Sequence, residues 1–93
     1  MPHAIDRINT GQRTVTATAT LIVDKRVSRE GVELTKLGTQ DLYLASCDNV
    51  TTSTGHLFAG ACGTSRIYPT TDQIYGIVAA GGIVVTYMEI YPG

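Results

Sequence analysis

Ninety-three residues make one domain, and a hydrophobic fraction of 43% places it among ordinary globular chains. The net charge is −1, and the seven Lys and Arg stand singly or in pairs, so no basic stripe awaits phosphate and nucleic-acid binding is not expected. No apolar run approaches the ~20 residues of a membrane helix, and the start of the chain carries no signal-peptide hydrophobic region, which points to synthesis and folding in a cytoplasm.

Residues 1–12 (MPHAIDRINTGQ) read as an N-terminal arm ahead of a single β domain over residues 13–93. Ile5 and Ile8 are the arm's anchoring aliphatics, and Asn9-Thr10-Gly11 is a turn signal. Arg13–Val23 (RTVTATATLIV) alternates strictly, with Val15, Ala17, Ala19, Leu21 and Val23 on one face and four threonines on the other. That is the pattern of a strand with one wet or subunit-facing side. Asp24–Gly31 holds five charged residues and reads as an exposed connector. Val32–Leu37 and Asp41–Ala45 read as strands joined in a hairpin through Gly38-Thr39-Gln40.

Ser46–Gly55 is a loop of small polar residues, pinned by Val50. His56–Ala59 and Ser65–Tyr68 are short strands, and Pro69 confines the second to an edge or a strand end. Ile74–Ile90 reads as a central hairpin with its turn at Ala80-Gly81-Gly82. On its return arm Val84, Thr86, Met88 and Ile90 share one almost wholly apolar face, while Ile83, Val85, Tyr87 and Glu89 share the other. The whole predicts an all-β fold, an antiparallel β-sandwich or small β-barrel of about seven short strands.

Catalytic chemistry has no hook here. Cys47, Cys62, His56 and Asp48 make a triad only on paper, with no nucleophile-elbow or papain-like context around them. Two Cys and two His lack the paired short spacings of a zinc site. The two cysteines read as free thiols in a reducing compartment, or as a disulfide if the mature protein sits outside the cell. No cofactor, metal or membrane is expected, and the chain reads as one that works by its surface rather than as an enzyme.

The succession Arg29-Glu30-Gly31-Val32-Glu33-Leu34, Leu37-Gly38-Thr39-Gln40-Asp41-Leu42-Tyr43-Leu44, Val50-Thr51-Thr52-Ser53-Thr54-Gly55 and Ile74-Tyr75-Gly76-Ile77 with Ala79-Ala80-Gly81 resembles small virion proteins of tailed bacteriophages. The resemblance spans residues 13–90. It implies a structural protein of the phage particle, first of all a capsid decoration (cement) protein on the outside of the head. Its partner would be the major capsid protein, and a homotrimer would suit local three-fold positions of the shell. A head-fibre, neck or tail-tip domain binding host surface carbohydrate is the alternative it leaves open. On the capsid reading Pro2, Ile5, Arg7, Ile8, Arg26, Arg29 and Val50 are the expected partner-facing residues.

Overall fold

The computed structural model describes residues 7–92. They form eight strands: β1 (Arg7–Thr16), β2 (Thr20–Val23), β3 (Gly31–Leu37), β4 (Leu42–Ala45), β5 (His56–Phe58), β6 (Thr64–Tyr68), β7 (Ile74–Ile77) and β8 (Gly82–Tyr91). Two antiparallel four-stranded sheets, ordered β1-β8-β3-β6 and β2-β7-β4-β5, pack face to face. Of the two architectures the sequence allows, this is the sandwich.

The topology has a simple logic. β1 pairs with β8, β2 with β7, β3 with β6 and β4 with β5. The chain is thus one long hairpin folded about loop 46–55 and then rolled, so that β3 also meets β8 and β4 also meets β7. That is the strand order of a jelly roll. Six of the seven connections cross from one sheet to the other, and only β4 to β5 stays within a sheet. Loops 24–30, 46–55 and 69–73 therefore gather at one end. Residues 17–19, 38–41, 59–63 and 78–81 turn at the other.

Three expectations are corrected here. The arm ends earlier than predicted, because residues 7–12 are the first half of β1, in register with β8 from Arg7 opposite Tyr91 onward. Pairing along a ten-residue strand overrides the local turn signal at Asn9-Thr10-Gly11. Second, the alternating run Arg13–Val23 is two strands in different sheets. At the break the Thr16 hydroxyl accepts from Thr18 N (3.2 Å) and the Thr20 hydroxyl donates to Thr18 O (2.8 Å). Threonine hydroxyls here replace ladder bonds with local ones. The inward parity then shifts: Val15 is buried, but after the break Ile22 and Val23 are buried together, across a register irregularity between Leu21 and Val23.

Third, neither predicted hairpin forms. A two-residue type I′ turn needs positive φ at both central residues. Of Gly81 and Gly82 only Gly81 has it, at φ 62, and Gly82 already opens β8. Residues 78–81 instead make a corner that carries the chain to the opposite sheet, where Val78 N donates to Thr16 O at 3.1 Å. Gly38-Thr39-Gln40 is a second corner, held by Lys36 Nζ to Gln40 O (2.8 Å) and by Gln40 Nε2 to Ala80 O (2.7 Å).

Between the sheets lie Val15, Ile22, Val32, Leu34, Leu42, Phe58, Val78 and Val85, all at most 1% exposed. Glycine is required by packing at Gly76, whose Cβ position would lie 2.8 Å from Ile22 Cδ1 and 3.1 Å from Leu42 Cδ1.

Candidate interaction surface

β8 decides which face of the larger sheet turns outward. Ile83, Val85, Glu89 and Tyr91 are buried and Tyr87 partly so, while Val84, Thr86, Met88 and Ile90 lie half-exposed on the outside. The face that carries a glutamate is the inner one. It can be, because Glu89 is fully provided for. Its Oε2 accepts from Arg29 Nη1 (2.8 Å) and the Tyr91 hydroxyl (3.3 Å), and its Oε1 accepts from Asn9 Nδ2 (2.8 Å). Burial alone would raise its pKa; hydrogen bonds from Arg29 and Asn9, the Arg29 charge and the Tyr91 hydroxyl outweigh that and hold it below the ordinary 4.5.

The register then sets the outer rows of this sheet. Ile8 lies beside Ile90 and Gly31; Thr10 beside Met88, Glu33 and Ile67; Gln12 beside Thr86, Thr35 and Ser65; Thr14 beside Val84 and Leu37. Ile8 is 62% exposed, Ile67 61% and Leu37 44%. Glu33 is the one charged residue in these rows.

Of the predicted partner-facing residues, Ile8 stands on this outer face at the sheet edge and Arg26 is exposed in loop 24–30. Arg7 opens β1, whereas Pro2 and Ile5 lie outside the described residues. Two assignments are corrected. Arg29 is not at the surface but 2% exposed, its guanidinium donating to Thr70 O (2.9 Å), Asp24 O (2.9 Å) and Asp72 O (2.5 Å) besides Glu89. Val50 is 4% exposed and lies outside the core cluster. A Cβ on Gly55 would meet Tyr43 Cβ (2.6 Å) and Val50 Cγ2 (2.9 Å). Tyr43 alternates with the inward Leu42 and Leu44, so Val50 folds the loop back over the outer side of the smaller sheet.

The remaining chemistry is sparse. A cavity of about 320 Å³ opens at the end bearing loops 46–55 and 69–73, among Leu44, Ser46, His56, Tyr68, Asp72 and Ile74. The Tyr68 hydroxyl is buried with no hydrogen-bond partner among the described residues. Burial pushes its pKa up, opposed by the nearby Arg66 charge. Cys47 and Cys62 are both exposed free thiols. His56 begins β5 at the end opposite loop 59–63, so Cys62 does not join it in the triad drawn from sequence. Among the described residues no three His, Cys, Asp or Glu side chains are grouped to hold a metal ion. No described helix is long and apolar enough to cross a membrane.

No family model matches the chain, and no curated protein matches it in sequence. Among solved structures the fold is similar to that of a Bacillus endospore appendage protein, from a family described as disulfide-linked pili. The TM-score is 0.56 and the identity 18%, over 95% of this chain and 87% of that one. At that identity the likeness is one of fold.

The outer face of the β1-β8-β3-β6 sheet was the feature that sequence reasoning missed. Its signal was present in the apolar run Val84, Met88 and Ile90, and in Ile8, Leu37 and Ile67, scattered over four strands. Only the register brings them together.

Proposed function

We propose that this chain is a structural building block of a bacteriophage particle, a capsid decoration protein that binds the outside of the head and bridges major capsid subunits. The observation that carries this reading is the broad, nearly uncharged outer face of a rigid sandwich whose charges sit mainly at its ends. A cement protein holds its shell through many repeated modest contacts that sum by multivalency. A face of this kind supplies such contacts, and the loops at both ends supply polar ones. The resemblance of residues 13–90 to small phage virion proteins supports the same station. The likeness to an appendage protein supports, by analogy of fold alone, a subunit that works in an assembly.

The test is co-sedimentation of the purified protein with emptied phage heads. Saturable binding at a fixed ratio to capsid subunits, with shells that then resist heating better, is the expected result. Absence of binding at any concentration rejects the capsid station.

One observation favours the second reading, a fibre, neck or tail-tip domain that binds host carbohydrate. The cavity beside His56, Tyr68 and Asp72 offers aromatic surface together with hydrogen-bonding groups. Saturable binding to host surface polysaccharide, lost in Asp72→Ala, would move the chain to that station.

A further inference from the structure

We infer that the outer face of the β1-β8-β3-β6 sheet is a self-association surface, on which a second copy of this chain packs face to face. This does not depend on the capsid reading, and it takes up the same face: shell binding through these rows requires the second copy to leave.

Size argues first. Strands of ten, ten, seven and five residues make up this sheet. At roughly 3.3 Å per residue and 4.8 Å between strands the face spans about 500 Å² in projection. Two such faces together bury about 1,000 Å², the size at which a specific interface becomes credible. The opposite sheet, with strands of four, four, four and three residues, offers about half of this, and Val50 brings loop 46–55 over part of it.

Charge argues second. Sheets that pack face to face interdigitate apolar and small polar side chains. Ile8, Leu37, Ile67, Val84, Met88 and Ile90 supply the apolar part, and the threonines between them supply short hydroxyls. Thr35 Oγ1 and Ser65 Oγ already hydrogen-bond each other at 2.7 Å, which uses one of their two hydroxyl protons. A face crowded with like charges would repel its own copy. Here the electrostatic cost is confined to Glu33 meeting its counterpart.

A second copy therefore fits this surface without a complementary charge having to be found elsewhere. Such a contact is isologous and closes as a dimer. It differs from the three-fold oligomer that shell symmetry implies, and mass separates the two.

The experiment is native mass by light scattering, from micromolar to millimolar protein. Wild type should rise to twice the 9.9 kDa chain mass. Ile67→Lys and Leu37→Lys should each weaken the dimer at least tenfold, and Glu33→Gln should tighten it. Both lysines replace exposed side chains, and circular dichroism checks the fold. If either disturbs it, Thr35→Lys takes its place. A wild type that stays monomeric overturns the inference, as does an oligomer that ignores all of these substitutions. A monomer whose shell binding is lost in Ile67→Lys would assign the face to the capsid protein, overturning this inference and leaving the proposed function standing. A dimer that binds no shell would do the reverse.

Discussion

Arg29 Nη1 donates to Glu89 Oε2 at 2.8 Å, joining side chains sixty residues apart that are 0% and 2% exposed. The guanidinium also holds backbone carbonyls of Asp24, Thr70 and Asp72. The carboxylate also holds Asn9 and Tyr91. One buried pair therefore ties loops 24–30 and 69–73 to the edge strand β1 and the end of β8. The charged connector read from the sequence as solvent-exposed contains the residue that locks this end of the sandwich.

Removing one partner weakens the hold on the other. Arg29→Met should cost up to about 3–5 kcal/mol in urea unfolding, the cost of breaking a buried pair, with Arg26 Nε, 3.9 Å from Glu89 Oε2, the cation left to the carboxylate. Arg29→Met combined with Glu89→Leu should cost clearly less than the two single changes added. Strict additivity would mean that the two side chains do not act as a pair.

The same carboxylate sets an acid limb. Glu89 binds its proton more weakly in the folded protein than in the unfolded chain, since its pKa lies below the ordinary 4.5. Its contribution is then complete above that value and is lost as pH falls through the lowered native one. Wild-type stability should be level down to about pH 5 and decline below it. In Glu89→Gln, less stable at neutral pH, the decline should be shallower. Equal slopes for the two proteins would assign the acid limb to other carboxylates.

Lys36 is the other buried charge, 0% exposed at the opposite end of the core, with Nζ on Gln40 O at 2.8 Å. Burying an ammonium is costly, and a methionine of similar length fills the same space without a charge. Lys36→Met should match or exceed wild-type stability by up to about 2 kcal/mol. Lys36→Ala, which leaves a cavity, should lose about 2–5 kcal/mol. A Met variant as damaged as the Ala variant would show that the bond to Gln40, and through it the corner at Ala80, outweighs the cost of burial.

The first strand separates two truncations. A protein lacking residues 1–10 loses the pairs from Arg7 opposite Tyr91 to Thr10 opposite Met88, and with them the Asn9 amide on Glu89. Relative to a protein lacking residues 1–6, it should be less stable by at least about 1.5–3 kcal/mol, the value of a hydrogen bond to a charged group. Equal urea midpoints and slopes would mean that residues 7–10 add nothing to the sheet. A test of an arm in shell binding must stop short of Arg7.

Much of this fold was legible because period-2 alternation reports burial directly. Val32, Leu34, Leu42 and Leu44 point inward as their patterns require. What the pattern could not carry was which strand pairs with which. Glycines at 81–82 and at 38 mark a reversal equally well whether the chain returns beside itself or steps across to the other sheet. The threonines of residues 14–20 look alike in sequence, yet those at 16, 18 and 20 bond locally and break the strand. Arg29 reads as a surface charge, and Glu89 only as one position on a strand face, because their partnership exists only after β1, β8 and two loops have met. The outer apolar face was hidden for the same reason: its residues are contributed by four strands.

The cysteines give a last prediction, and it follows from the roll of the chain. Cys47 sits in loop 46–55, where Gln73 Nε2 donates to Ser46 O at 2.9 Å. Cys62 sits in loop 59–63, where Gly63 N donates to Lys36 O at 2.7 Å, at the other end of the sandwich. Even the three residues of β5 between these ends span about 10 Å. A disulfide needs Cα atoms within about 7 Å, so the disulfide considered from sequence cannot form within one chain. In the native protein both thiols should titrate with a thiol reagent, since both are exposed. An added disulfide oxidant should then join copies rather than close a loop. Each joint forms one S–S bond as two thiols release their protons and pass two electrons to the oxidant. On non-reducing gels wild type should give a ladder, because a chain with a thiol at each end can be linked twice. Cys47→Ser and Cys62→Ser should each stop at the dimer. A monomeric, thiol-free product by mass spectrometry would place the two cysteines together and contradict the jelly-roll topology.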